Sequence, residues 1–393
     1  MMAEISQAAA SIQRAREVAS RGLVEREHVV EMIALAAVAG EHVLIIGPPG
    51  TAKSEAARRM AQALGGSYFE YLLGRFTEPS EIFGPVDLRR LRDGVVETET
   101  SGMLPEADLA FLDEVFQGST AILNTLLGLL NERTFRRGHT RIACPLRVCI
   151  AASNALPSDE SLAAFADRFL VQIFVEPVGS SRLEELLTAG WKLEGGSPDA
   201  VSSLADIDRL AGAARRADLS QVRPQLAEAV RLLRAADIEL SDRRVVRAQR
   251  LIAAAAVLDG RQTPDARDLW PLVFAVPSAE QQDRARELLR DILERSQNEA
   301  LRAAAEDAAA GPAARAARLT AACHELLERE PATSDESWRL EAEALAREID
   351  ASIAPDQLPE PLREARAGLV RRLESPTTDP ANDAVSPDME TEA

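Results

Sequence analysis

One stretch limits the choice of folds more than any other: Glu41–Ser54, EHVLIIGPPGTAKS. A continuous apolar run, Val43–Ile46, breaks abruptly into Gly47-Pro48-Pro49-Gly50-Thr51-Ala52-Lys53-Ser54, the order of a buried parallel strand, a tight loop and a helix start. Small residues let successive backbone N–H groups turn onto phosphate oxygens. A lysine reaches the β- and γ-phosphates, and a serine hydroxyl suits Mg²⁺. The helix that opens here brings its positive dipole end beneath the phosphates. Gly47 through Ser54 are therefore candidate ATP-binding residues, with Ser54 also a candidate metal ligand. Ala52 stands where glycine usually precedes the lysine. Right-handed helical dihedrals would carry an alanine without strain, so the reading places Ala52 in the first turn of the helix.

A second motif follows at the separation a P-loop enzyme needs. Asp108–Glu114 is a hydrophobic strand ending in two carboxylates; Asp113 would hold the Mg²⁺ hydration shell and Glu114 polarise the attacking water. Leu123, Leu126, Leu127 and Leu130 form the stripe of a helix over Ser119–Asn131, and Thr134–Arg141 reads as a basic hairpin turning at Gly138. Another strand, Pro145–Ala152, ends in Ser153-Asn154. Asn154 either orients water or the γ-phosphate, or makes an Asx turn before Pro157. Before the last strand, Leu170–Val175, comes Asp167-Arg168-Phe169. Arg168 either pairs with Asp167 or is an arginine finger for a neighbouring subunit.

The architecture expected is α/β: a P-loop parallel sheet flanked by helices over residues 1–178, an all-α lid over 179–277, a C-terminal helical bundle or hairpin over 278–373, and an acidic, disordered tail over 374–393. Within the first domain, residues 74–105 read as an insertion, with a helix start at Thr77-Glu78-Pro79 and a hairpin turn at Asp93-Gly94. Gly22–Arg26 either closes over a base or caps the helix starting at Glu27. In the lid, Ser241 or Asp242 caps a helix from whose first turn Arg243 projects.

Bulk properties narrow the function. With 393 residues, 46% of them hydrophobic, the chain needs no staples for its core. A net charge of -18 argues against nucleic acid as a partner. The first twenty residues lack the order of a secretion signal, no segment reads as membrane-spanning, and the location expected is cytoplasmic. Cys144, Cys149 and Cys323 are too few and too poorly spaced for a disulfide framework or a zinc site.

Taken together, the Ala-Lys-Ser ending of the P-loop, RFTEPSEIFGP (Arg75–Pro85), SGMLPEADLAFLDEV (Ser101–Val115), AILNTLLGLLNERTFRRG (Ala121–Gly138), AASN (Ala151–Asn154), DRF (Asp167–Phe169) and SDRR (Ser241–Arg244) resemble the MoxR group of AAA+ ATPases, most closely its RavA branch. The resemblance implies a hexameric homo-oligomeric ring with ATP and Mg²⁺ as cofactors. Asp113 and Glu114 become the Walker B pair, Asn154 the first sensor and Arg168 the finger on the adjacent subunit's ATP. Arg243 becomes the second sensor, with Arg244 as second choice. The 74–105 insert and the 134–141 hairpin would face the channel or a rim, their arginines (Arg89, Arg90, Arg92, Arg136, Arg137, Arg141) forming basic collars. A von Willebrand A-domain partner is implied; the client is not. RavA proteins carry a β domain within the C-terminal bundle, whereas Pro277–Leu373 shows helices and no run of alternating strands.

The function expected is chaperone-like remodelling or maturation of a partner protein, driven by hydrolysis. Two alternatives belong to other classes: a nucleic-acid-translocating motor, since the clade includes helicases, and a nucleotide-gated scaffold with little turnover.

Overall fold

The structure is a computed structural model that describes residues 2–179, 182–193, 200–296, 298–309, 312–329, 336–352 and 358–374. Its centre is a parallel sheet of five strands. β1 (Val43–Ile46), β2 (Tyr68–Leu72), β3 (Leu109–Asp113), β6 (Val148–Ser153) and β7 (Val171–Phe174) lie in the order β2-β3-β6-β1-β7. β4 (Thr134–Arg137) and β5 (Thr140–Ala143) form a separate antiparallel hairpin turning through Gly138.

Alternation along the strands divides the core in two. Val43, Ile45, Leu109, Phe111, Ile150 and Ala152 face one apolar layer, and Leu44, Ile46, Ala110, Leu112, Cys149 and Ala151 face the other. Both layers are covered, which is why these strands read as unbroken apolar runs. α1 (Met2–Ser20), α2 (Glu27–Ala39) and α3 (Lys53–Leu64) pack on the first face. The second is closed by α4 (Pro79–Phe83) and α6 (Thr120–Glu132), with α5 (Leu88–Arg92) exposed between them in sequence. Helices α7 (Glu160–Ala166) and α8 (Leu183–Leu193) flank β7 in sequence. α9 (Leu204–Arg215), α10 (Arg223–Ala235) and α11 (Asp242–Leu258) then form an all-helical lid whose core runs on into the first layer.

The insertion differs from its expected form in one respect. Asp93-Gly94 ends the short α5 and is not a two-residue hairpin turn, although Val86 and Thr98 do close the segment through an antiparallel bridge. Asp87 draws the chain into a helix first, its carboxylate accepting the Arg89 and Arg90 N–H groups. The insert then docks on the β4–β5 hairpin. Thr98 N–H donates to Thr140 Oγ1 at 2.7 Å, His139 N–H donates to the Val96 carbonyl at 2.9 Å, and Phe83 stacks on Phe135 with ring centroids 5.5 Å apart.

Two compact units are formed, one of residues up to 178 and from 185 to 309, the other of residues from 312 on together with the short segment at 179–184. Within residues 279–309 lie α12 (Ala279–Leu288), the single turn α13 (Arg290–Leu293) and α14 (Arg302–Ala309), all packed into the first core. Buried polar groups fix them there: Gln282 Nε2 donates to the carbonyls of Gln172 and Val276, and Asn298 Nδ2 to that of Ala255. The second unit is a three-helix bundle of α15 (Pro312–Glu328), α16 (Glu336–Ser352) and α17 (Glu360–Glu374). Cys323, Trp338, Ala342, Ile349, Leu362 and Leu369 form its core. Trp338 donates its indole N–H to the Leu326 carbonyl, and Arg372 lies 5.2 Å over its ring. The tail from residue 375 on lies outside the described residues. All three cysteines are buried free thiols, and none of the described helices is long and apolar enough to cross a membrane.

Candidate functional site

Parallel register brings the two motifs together at the carboxyl edge of the sheet. β6 lies between β1 and β3, pairing Ile46 with Ser153 and Leu112 with Ala151. Gly47, Asp113-Glu114 and Asn154 therefore leave adjacent strand ends, where open α/β sheets bind ligands. Gly47 N–H donates to the Ser153 carbonyl at 3.1 Å. A Cβ on Gly47 would come within 2.1 Å of the Val175 carbonyl oxygen, so no larger residue fits at the root of the loop.

Ala52 departs from expectation. It caps α3 with φ 60° and ψ 26°, left-handed, and the helix begins at Lys53. The loop has to reverse at this point to present Lys53, a conformation that costs a residue with a Cβ about 1–2 kcal/mol. Its neighbours hold it there. Thr51 Oγ1 donates to the Pro48 carbonyl at 2.9 Å, and the buried Arg26 donates from Nε to the Thr51 carbonyl at 2.9 Å and from Nη2 to the Glu176 carbonyl at 2.5 Å. Burial pulls the Arg26 guanidinium below its usual range, opposed by Glu25, Glu27 and Glu176. Arg26 is thus a brace for the P-loop, while Leu23 and Val24 of the same segment are core residues. A brace through side chain and carbonyl leaves no sequence pattern; only its place one residue before α2 could have hinted at it.

Lys53 Nζ donates to the Gly47 carbonyl at 2.6 Å and the Pro48 carbonyl at 2.9 Å, curled within its own loop. Burial lowers its pKa, partly offset by Asp113 and Glu114. Asp113 and Glu114 are half-buried; Asp113 Oδ1 accepts the Glu114 N–H at 3.0 Å, and Glu114 sits at φ 48°. That left-handed turn directs its carboxylate to Asn154, whose Nδ2 donates to Glu114 Oε1 at 2.6 Å. Beside it, Ser153 Oγ donates to the Ala155 carbonyl at 2.9 Å. The Ser54 hydroxyl and the Asp113 carboxylate are hard oxygen donors, a set that suits Mg²⁺.

Arg168 and Arg243 are not part of this cluster. Both lie at the amino edge of the sheet, beyond the full length of its strands, about 13 Å for four residues. Arg168 precedes β7, and among the described residues no carboxylate lies within ion-pair distance of it. Asp167 pairs with Arg244 at 3.0 Å. Arg243 projects from the first turn of α11, after the Ser241 cap, and bonds to Asn131 Oδ1 at the far end of α6. Arg244 is buried, 2% exposed. It donates from Nε to the Ala275 carbonyl at 2.8 Å and from Nη2 to the Leu170 carbonyl at 2.9 Å. Of the two candidates for a second sensor, Arg244 is a buried tie between lid and sheet, whereas Arg243 is half-buried and held on Asn131.

Comparison with known proteins places this geometry in a family. Residues 10–212 match the model of the MoxR domain in the MoxR-vWA-beta-propeller ternary systems, and residues 217–289 match an AAA lid domain. An uncharacterized protein of Methanocaldococcus jannaschii is 34% identical over 260 residues, 66% of this chain and 69% of that one. The protein MoxR of Paracoccus denitrificans is 30% identical over 174 residues, 42% of this chain and 50% of its own. The chaperone MoxR1 of Mycobacterium tuberculosis is 26% identical over 169 residues, 42% and 44% of the two chains. Among solved structures, a candidate ATPase from Cytophaga hutchinsonii has the same fold, with a TM-score of 0.61 at 15% identity over 75% of this chain and 97% of that one.

Proposed function

The chain belongs to the MoxR family of AAA+ ATPases, and from that premise we propose that it is a Mg²⁺-dependent ATPase whose protomers assemble head to tail in a ring and use hydrolysis to remodel a partner protein. The observation that carries this reading is the separation of the two halves of the hydrolytic machinery. Lys53, Asp113, Glu114 and Asn154 gather at the carboxyl edge of the sheet, while Arg168 and Arg243 stand at the amino edge, out of reach of their own P-loop. A head-to-tail neighbour brings the two edges together. The six-membered size of the ring is carried over from the family resemblance.

In this scheme Lys53 leaves the Gly47 and Pro48 carbonyls for phosphate oxygens, and the N-terminus of α3 supports them. Ser54 and Asp113 would hold Mg²⁺, which would supply positive charge against the phosphates. Glu114, oriented by Asn154, takes the proton of the attacking water. Arg168 of the next protomer stabilises the transferring phosphoryl group, a role worth about a thousandfold or more in rate. Because a site is complete only across an interface, turnover is coupled to the shape of the ring. The matched model describes MoxR domains that work with a von Willebrand A-domain protein and a β-propeller protein, and those are the partner classes we assign here.

Subunit mixing tests the shared site. Lys53→Ala and Arg168→Ala proteins should each be inactive. Co-assembled, they should recover part of the wild-type rate, because an intact P-loop in one protomer then meets an intact Arg168 in the next. Co-assembly without recovery would sink the head-to-tail assignment.

A further inference from the structure

Away from the P-loop, the lid and the amino edge of the sheet form an open pocket of about 560 Å³, within the size range of small-ligand sites. Six arginines line it: Arg133 and Arg147 from the sheet side, Arg215 from α9, and Arg243, Arg247 and Arg250 from α11. Three carboxylates answer them. Arg147 is held by Asp108 at 2.5 Å and Asp208 at 2.7 Å, while Arg247 and Arg250 share the buried Glu41. For Arg133, Arg215 and Arg243 there is no carboxylate within ion-pair distance among the described residues.

This excess of positive charge is unusual in a chain carrying -18 overall. Arg133 sharpens it. At the C-terminus of α6, in left-handed backbone, it turns inward and donates from Nη2 to the Gly40 carbonyl at 3.0 Å, with Nη1 2.8 Å from His42 Nε2. Its direct partners are thus dipoles and a neutral ring, and burial brings its pKa down to about 10 against the opposing pull of Glu41, which lies beyond contact. Holding a guanidinium there with no carboxylate in contact is costly, and the cavity is where a contacting anion can sit.

We infer that this cavity is a second anion site, distinct from the P-loop, that takes a small multiply charged phosphate compound and ties the lid to the sheet. Guanidinium forks suit phosphate oxygens through paired N–H donors, and four elements contribute them. An occupant would clamp α9 and α11 to the ends of α6 and β6. The same oxyanion chemistry is available from a diffusible polyphosphate or from the nucleotide of a neighbouring protomer; the inference is the diffusible one.

Inorganic tripolyphosphate, without Mg²⁺, is the probe, and Lys53→Ala protein is the host, because its P-loop no longer holds nucleotide for any neighbour. Saturating tripolyphosphate should raise its Tm by about 5 °C. Adding Arg215→Gln and Arg243→Gln should leave the Tm of the free protein unchanged, since neither side chain has a carboxylate to strand, and should weaken tripolyphosphate binding by about tenfold or more in calorimetry. Absence of binding in the Lys53→Ala host, or binding indifferent to the two added substitutions, would overturn the inference. Binding in wild type that vanishes in the Lys53→Ala host would assign the anion to the P-loop or to the neighbour's nucleotide, and would overturn it too.

Discussion

The amide of Asn154 holds the carboxylate of Glu114 by a 2.6 Å hydrogen bond, joining the end of β6 to the residue after β3. Neither residue is fixed by its own strand alone. Glu114 is turned by a left-handed backbone, and its carboxylate ends on the Asn154 amide.

Removing either partner should therefore spare binding and damage chemistry. Glu114→Gln should lower kcat by about 10²–10⁴-fold while ATP still binds, because the proton acceptor is lost and the phosphate cradle is not. Asn154→Ala should lower kcat by a smaller factor, on the order of tenfold to a hundredfold, because an unheld carboxylate is positioned only part of the time. Steady-state turnover beside ATP affinity separates these cases. A faster Asn154→Ala enzyme would show that the contact restrains Glu114 instead of aiming it.

The P-loop makes a second prediction. Ala52 pays for its left-handed conformation, and glycine does not. Ala52→Gly should stabilise the folded chain, by about 1 kcal/mol at most once the greater freedom of an unfolded glycine is deducted. Thermal denaturation should show Tm unchanged or higher by a few degrees, with ATP affinity retained. A lower Tm would mean that contacts of the Ala52 methyl outweigh the backbone strain.

The residues that gather at the candidate site were legible in the sequence because they sit in short contiguous motifs at strand ends: Lys53 after β1, Asp113 and Glu114 at the end of β3, Asn154 after β6. Strand identity was legible for a similar reason, since doubly buried strands leave apolar runs such as VLII and VCIAA. What escaped depends on contacts between distant segments. Ala52 looked compatible with a helix because composition does not report the direction of a loop. Residues 279–309 read as part of a C-terminal bundle, but Gln282 and Asn298 find carbonyls in Gln172 and Ala255 and tie the segment to the first core. The neighbouring arginines of α11 are alike in sequence and opposite in environment. Resemblance put the chain nearest the RavA branch, whereas the matched model is drawn from MoxR systems with a β-propeller partner.

Those adjacent arginines give a third prediction. Arg244 is buried against the carbonyls of Ala275, Phe169 and Leu170, with the part-exposed Asp167 at one end, so Arg244→Gln strands buried carbonyls and should cost about 1–3 kcal/mol. Arg243→Gln removes a half-buried side chain whose one hydrogen bond among the described residues is to Asn131, and its stability should stay within about 0.5 kcal/mol of wild type. Activity should divide the other way: Arg243→Gln folds normally and hydrolyses ATP poorly in the assembled state. Equal losses of Tm in the two variants would contradict the division of labour between them.

The last prediction concerns pH. Glu31 on α2 is buried, paired with Arg16 of α1, and accepts the Ala304 N–H of α14 at 2.7 Å. Desolvation outweighs these partners and raises its pKa to about 7. A carboxyl whose folded pKa lies above its unfolded value binds its proton more tightly in the native state. Its contribution is fully present below about pH 4.5 and is lost as pH rises through about 7. His42 and His28, both lowered by burial, act in the opposite sense, losing stability as pH falls through the ordinary histidine range. Wild-type Tm alone therefore mixes the two. Glu31→Gln keeps a hydrogen-bond acceptor for Ala304 but does not titrate, so the difference in Tm between wild type and Glu31→Gln isolates the carboxyl. That difference should move against wild type between pH 5.5 and pH 8, on the order of 1–3 kcal/mol across the window. A difference that stays flat over the same range would mean that Arg16 keeps Glu31 ionised throughout.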